Sequence, residues 1–146
     1  MTLEDIFVLA SLAVLPAWFL LLVFPGGKRV QTLVHKAWIP ILLGAAYAGL
    51  LSGSQTTGSA GGGFDSLEAV MRLFDDPTVV LAGWIHYLVF DLFVGAWEVR
   101  DGQRRGLPRL WVAPCVLLTF SMGPLGLLAY LIVRGLAVGT LSLDES

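Results

Sequence analysis

Asp91 and His86 lie five residues apart in an otherwise apolar stretch, Pro77 to Trp97, with Tyr87 between them. An ionisable side chain inside such a run is costly, which makes it the first place to look for chemistry. Asp91 is fourteen residues past Pro77, about 21 Å along a helix at 1.5 Å per residue, and about 9 Å short of Trp97. A short aspartate side chain cannot reach an interface from there. Tyr87, four residues earlier, can donate a hydrogen bond to it, and Trp84, Leu88, Gly95 and Glu98 fall on the same helical face. A protonated Asp91 is an acid and an ionised one a base. The plainer role is a hydrogen bond that holds two helices together. His86 lies about 140° around the helix from Asp91 by the 3.6-residue period. The two flank one cavity only if other helices surround this one. There a neutral His can shuttle protons near pH 7, or simply bond to a neighbouring helix.

Other chemistries are thin. His35 suggests a haem held with His86, but their depths differ by about 10 to 15 Å at 1.5 Å per residue, and two axial ligands must face one iron. The single cysteine, Cys115, excludes an internal disulfide and a multi-cysteine zinc site and reads as a small buried hydrophobe. The chain has no HExxH, Walker loop or GxSxG. No metal or cofactor is expected. The net charge of −2, from 9 basic and 11 acidic residues, gives no reason to expect nucleic acid.

What must position these residues is a membrane fold. Of 146 residues, 56% are hydrophobic and 14% charged, against about 25% charged in an ordinary soluble domain. The mean hydropathy is +0.79. A spanning helix needs about 20 mostly apolar residues. Four runs qualify: Ile6 to Phe24, Gln31 to Leu51, Pro77 to Trp97 and Leu110 to Val133. Residues 1–146 are therefore expected to form one all-α domain, an integral membrane four-helix bundle in contact with lipid. Asp76 suits the N-cap of the third span and Pro77 its first position. A Gly/Ser/Thr-rich connector, Ser52 to Gly63, leads into Phe64 to Asp76. There Phe64, Leu67, Val70, Met71 and Phe74 recur at helical spacing, with Asp65 and Glu68 as caps. A short helix in the interface is expected, with an ordered loop as the alternative.

Basic residues orient the spans. Lys28, Arg29 and Lys36 join spans one and two, and Arg100, Arg104, Arg105 and Arg109 join spans three and four. Those connectors should face the cytoplasm, with both termini on the other side. Pro16, Pro40 and Pro124 should kink spans one, two and four and free backbone carbonyls. Gly44, Gly49, Gly83, Gly95 and Gly123 should admit close helix approach. Trp18, Trp38, Trp84, Trp97 and Trp111 mostly suit the interfacial belts.

Three stretches carry a resemblance to a known family. They are Ala82-Gly-Trp-Ile-His-Tyr-Leu-Val-Phe-Asp-Leu-Phe-Val-Gly95, Asp101-Gly102 and Phe120-Ser-Met-Gly-Pro-Leu-Gly126. Nearly the whole chain resembles the abscisic-acid-deficient-4-like family, whose plant members are chloroplast membrane proteins linked to neoxanthin synthesis. By that pattern Trp84, His86, Asp91, Pro124 and Gly126 are the positions carried over, with Trp84, Pro124 and Gly126 assigned to substrate binding. The acidic start, Met-Thr-Leu-Glu-Asp, is no transit peptide, so the resemblance is to the bacterial branch, and a bacterial inner membrane is expected. What the resemblance implies is a redox-neutral isomerisation of a carotenoid or related isoprenoid. An epoxide opens and a neighbouring carbon loses a proton, giving an allene. Such a step needs an acid and a base, the roles open to Asp91, His86 and Tyr87, and in principle no metal or nucleotide. The alternative is a non-enzymatic lipid- or pigment-binding protein, or an assembly factor for a membrane complex. Homo-oligomerisation stays open.

Overall fold

A computed structural model describes residues 1–27, 30, 34, 36, 38–53, 62–140 and 142. His35 and the expected start of the second span, Gln31 to Leu33, lie outside the described residues. The described residues form an all-α fold of six helices: α1 (Leu3–Val23), α2 (Trp38–Gly53), α3 (Leu67–Leu73), α4 (Pro77–Arg104), α5 (Arg109–Met122) and α6 (Pro124–Val138).

Each start has a local cause. Thr2 caps α1 in a reciprocal box, its hydroxyl accepting from the Asp5 backbone N–H at 3.1 Å while the Asp5 carboxylate accepts from the Thr2 N–H at 2.7 Å. Ser66, rather than Asp65 or Glu68, caps α3 by accepting from the Ala69 N–H at 3.1 Å. Because the cap falls at Ser66, α3 is shorter than the expected Phe64 to Asp76 segment. Asp76 caps α4 through the Thr78 N–H at 2.7 Å, with Pro77 in its first turn, as the sequence indicates.

α4 is the axle of the fold. It packs against α1, α2, α5 and α6. α1 runs beside it in the same direction: Trp84 Nε1 donates to Ser11 Oγ at 2.9 Å near one end, and Trp18 lies on Gly95 further along. A Cβ on Gly95 would come within 2.6 Å of the Trp18 ring, so the glycine sets this approach. α2 places Tyr47 beside His86, their ring centroids 6.1 Å apart. The core runs along these contacts through Val14, Trp18, Leu21, Ile85, Leu88, Leu92, Val99 and Val116.

Three expectations need correction. First, α4 does not stop near Trp97 but continues to Arg104, so Glu98 and Asp101 are helix residues facing the bundle, not connector residues. Both are almost fully buried. Second, Leu110 to Val133 is not one span. Gly123, at φ +41° and ψ −97°, ends α5, and Pro124 opens α6. Only glycine holds such a conformation without strain. α6 then folds back along α5: Gly126 packs on Thr119, and Tyr130 and Arg134 reach Asp101 near the end of α4. The pair is a helical hairpin with its tip at Gly123, beside Asp91. Third, the start of α1 and the end of α6 do not share one end of the bundle. Leu3 and Glu4 lie with Pro77, whereas the fold-back returns Arg134 to the Asp101 end. Proline follows the same logic. Pro40 is in the first turn of α2 and Pro124 begins α6, so neither kinks a span, while Pro16 and Pro114 are inside helices. Gly44 and Gly49 have open space where a Cβ would go and mediate no close approach.

Candidate functional site

At the Pro77 end, α1, α2, α3 and the first half of α4 line a mostly apolar, partly open cavity of about 1350 Å³. Its wall includes Phe7, Tyr47, Phe74, Trp84, His86 and Tyr87. The aromatic groups order one another. Trp84 stacks on Tyr87 at 5.3 Å and tilts against Phe7 at 5.4 Å, while its indole N–H is held by Ser11. His86, largely exposed, stacks on Phe90 at 4.4 Å. Gly83 admits the Phe74 ring, which a Cβ would meet at 3.1 Å.

Tyr87 looks both ways. It lines the cavity, and its hydroxyl donates to the Phe120 carbonyl on α5 at 3.2 Å, close enough to Asp91 to interact with it as well. Asp91 is half-buried and does not line the cavity. It faces the hairpin tip, where a Cβ on Gly123 would lie 2.7 Å from Asp91 Oδ1. Asp91 Oδ2 is buried with no hydrogen-bond partner. His86 and Asp91 therefore meet different neighbours, and Tyr87 is the side chain between them. Pro124 and Gly126 are not on the cavity wall: Pro124 starts α6 and Gly126 allows it to lie on α5.

Two polar groupings went unnoticed among the sequence candidates. Glu98, fully buried, accepts from Thr119 Oγ1 at 2.8 Å through Oε1, while Oε2 has no partner. Further along, Asp101 Oδ2 accepts from the Tyr130 hydroxyl at 2.6 Å and lies 3.4 Å from Arg134 Nε. Asp101 Oδ1 accepts from Arg105 Nε at 2.9 Å. Arg134 is fully buried, and its guanidinium carbon lies 5.9 Å from the centre of the Trp97 ring. Two signals pointed this way: Glu98 shares the Trp84, Tyr87 and Gly95 face, and Arg134 is a lone charge closing an apolar run. Among the described residues, no group of three or more His, Cys, Asp and Glu side chains is arranged to hold a metal ion.

Comparison with known proteins agrees with the resemblance. The ABA DEFICIENT 4-like family pattern matches residues 5–130. Protein ABA DEFICIENT 4, chloroplastic, of Arabidopsis thaliana is 26% identical over 140 residues, 91% of this chain. The chain spans 62% of that relative's length. No solved structure matches the chain significantly. The family match runs through the Trp84 to Asp91 block, the Asp101-Gly102 pair and the Gly123-Pro124 turn, and on this the chain belongs to the ABA4-like family.

Proposed function

We propose that the chain is a membrane protein whose cavity receives the end of an apolar isoprenoid, a carotenoid by the family expectation, and isomerises it without redox chemistry. The membrane part rests on α1 and α4, both long and apolar enough to cross a bilayer, and on the apolar side chains left exposed around the bundle. Leu12, Phe19, Ile41, Leu42, Phe90, Phe93, Leu117, Leu128 and Ile132 all face outward, far more apolar surface than a soluble chain leaves open. In this reading α1, α2 and α4 cross the membrane, α3 lies at the outer interface, and the α5–α6 hairpin enters and leaves on one side. A buried re-entrant hairpin is tolerated where protein covers its broken backbone. Arg134 then joins Arg100, Arg104, Arg105 and Arg109 at the cytoplasmic end, which strengthens the positive-inside bias.

The observation that carries the functional reading is the cavity, with Trp84, His86 and Tyr87 on its wall and Asp91 directly behind Tyr87. It lies beside α3 and the Pro77 turn, at the end where the ring of a bilayer-spanning carotenoid would sit. In the reaction a C–O bond of the epoxide and a C–H bond of the adjacent chain carbon break. The oxygen gains one proton and the carbon gives one up. Tyr87, backed by Asp91, suits the acid, and His86, on the same wall, suits the base. Expression in a carotenoid-producing host tests this: pigments should change with the wild-type gene and revert with Tyr87→Phe, His86→Ala and Asp91→Asn. One observation favours a second reading, pigment or lipid binding without chemistry: Asp91 does not reach the cavity. Purified protein carrying an unaltered carotenoid, with no product in any host, would select it.

A further inference from the structure

Glu98 is a buried carboxyl for which the proposed reaction has no use. Its neighbours on the hairpin are also those of Asp91. Glu98 Oε1 is tied to Thr119, and Asp91 lies on Gly123. Thr119 and Gly123 are one helical turn apart, joined by the Gly123 N–H to Thr119 carbonyl bond at 2.9 Å. Four residues of α5 separate the two anchoring points by about 6 Å at 1.5 Å per residue. Helical side chains lean toward their own N-terminus, so Glu98 leans along α4 toward Asp91, and Asp91 toward Tyr87. Each carboxyl has one buried oxygen without a partner, Asp91 Oδ2 and Glu98 Oε2. Along α4 the two residues are seven apart, about 10.5 Å at 1.5 Å per residue, and the lean of Glu98 shortens the gap that water between the two open oxygens has to fill. Gly123 and Gly126 hold the hairpin tip against Asp91 and its two arms together, since a Cβ at either would intrude on Asp91 or Thr119.

Among the described residues, no cation is paired with Asp91 or Glu98. Arg134 and Arg105 are engaged with Asp101, three residues beyond Glu98. That cluster closes the cytoplasmic end, and its positive charge opposes the passage of protons from that side. The other groups that face Glu98 are Thr119 and, nearby on α5, the Cys115 thiol.

We propose that Asp91 and Glu98 form a water-bridged carboxyl pair that holds one shared proton for the Tyr87 wall of the cavity. The transfer balances without an oxidant or reductant. An O–H bond at Glu98 breaks as one forms at Asp91, through the bridging water, and Asp91 exchanges its proton with the Tyr87 hydroxyl. Glu98 is thus a positioning residue that acts through Asp91. The role rests on the proposed function, but its test does not need that reaction.

The test uses the full chain in lipid nanodiscs and infrared difference spectroscopy in H2O and D2O. Wild type should show a carboxylic C=O band that titrates in two separated steps, as interacting sites do. Glu98→Gln keeps the shape and the bond from Thr119, and Asp91→Asn keeps the contact with Gly123. Each should abolish the two-step behaviour, leaving one carboxyl that titrates once. Thr119→Ala, which leaves both carboxyls, should shift the band without removing it, and serves if either first variant fails to fold. Two carboxyl bands that titrate independently, each indifferent to loss of the other, would overturn the pair. If a carotenoid conversion is found, Glu98→Gln should lower kcat at least tenfold with KM within twofold, since Glu98 does not touch the cavity. If no conversion is found in any host, the proposed reaction falls, and the infrared result still decides the pair.

Discussion

Replacing Gly126 by alanine should unlock the hairpin while leaving every polar group in place. A Cβ at Gly126 would sit less than 3.0 Å from the Thr119 backbone nitrogen, its Cα and its hydroxyl at once. Most of those atoms are backbone, so no rotamer change relieves the clash, and α5 and α6 must separate. Overpacking of this kind costs about 1–3 kcal/mol. Displacing Thr119 also loosens the bond from its hydroxyl to Glu98, now 2.8 Å, and a buried bond of this type contributes about 1 kcal/mol, more if the carboxylate is ionised. The expected destabilisation is about 3 kcal/mol. For a chain of this size that lowers the unfolding midpoint by roughly 6 to 12 °C.

Thermal unfolding in detergent measures the shift directly, with Gly44→Ala as the control. Gly44 has no atom within 4 Å of a Cβ and lies inside α2. Alanine there removes a helix-weakening glycine, worth about 0.5–1 kcal/mol in the opposite sense. The two identical substitutions should therefore move stability in opposite directions. If Gly126→Ala melts at or above wild type, the hairpin is not packed as described, and the placement of Glu98 and Arg134 that depends on it fails too.

Other consequences can be checked separately. Cysteines introduced at Gln103 and Leu136 in a Cys115→Ala background should react with an impermeant maleimide from the same side of the membrane, and one at Glu4 from the other side; a straight fourth span would put Leu136 with Glu4. Asp101→Asn leaves the buried Arg134 guanidinium without its counter-charge and should cost about 3–5 kcal/mol, whereas Arg134→Met leaves Asp101 paired with Arg105 and should cost clearly less, both read by chemical denaturation. Tyr130→Phe removes a hydroxyl bonded at 2.6 Å to Asp101 and should cost about 1.5–3 kcal/mol, the range for bonds to charged groups. Trp84→Phe keeps an aromatic ring against Phe7 but loses the indole bond to Ser11; it should weaken retention of a carotenoid in the cavity more than it lowers the melting point, as read by the pigment-to-protein ratio after purification.

How much of this was legible in the chain depended on whether the signal was local. The start of α4, Asp76 before Pro77, and the helical character of the apolar runs follow from short-range patterns. The fold-back was not visible to hydropathy, because both arms of the hairpin are apolar and together have the length of one span. What distinguishes it is three small features in succession: a glycine at Gly123 that can take φ +41°, a proline that starts a helix readily but poorly continues one, and a second glycine three residues on where the arms touch. Read as an ordinary membrane kink, Gly123-Pro124 sends Arg134 to the outer face, unpaired. Read as a tip, it returns Arg134 to Asp101. The burial of Arg134 beside Asp101 is therefore a product of the fold-back, since at the end of a straight span its side chain would reach the interface. The same reasoning explains the site. The five-residue offset that sets His86 and Asp91 about 140° apart turns them to different partners, His86 to α2 and Asp91 to the hairpin tip. Among the described candidates, Tyr87, one turn before Asp91 and on the cavity wall, is the side chain that adjoins both environments.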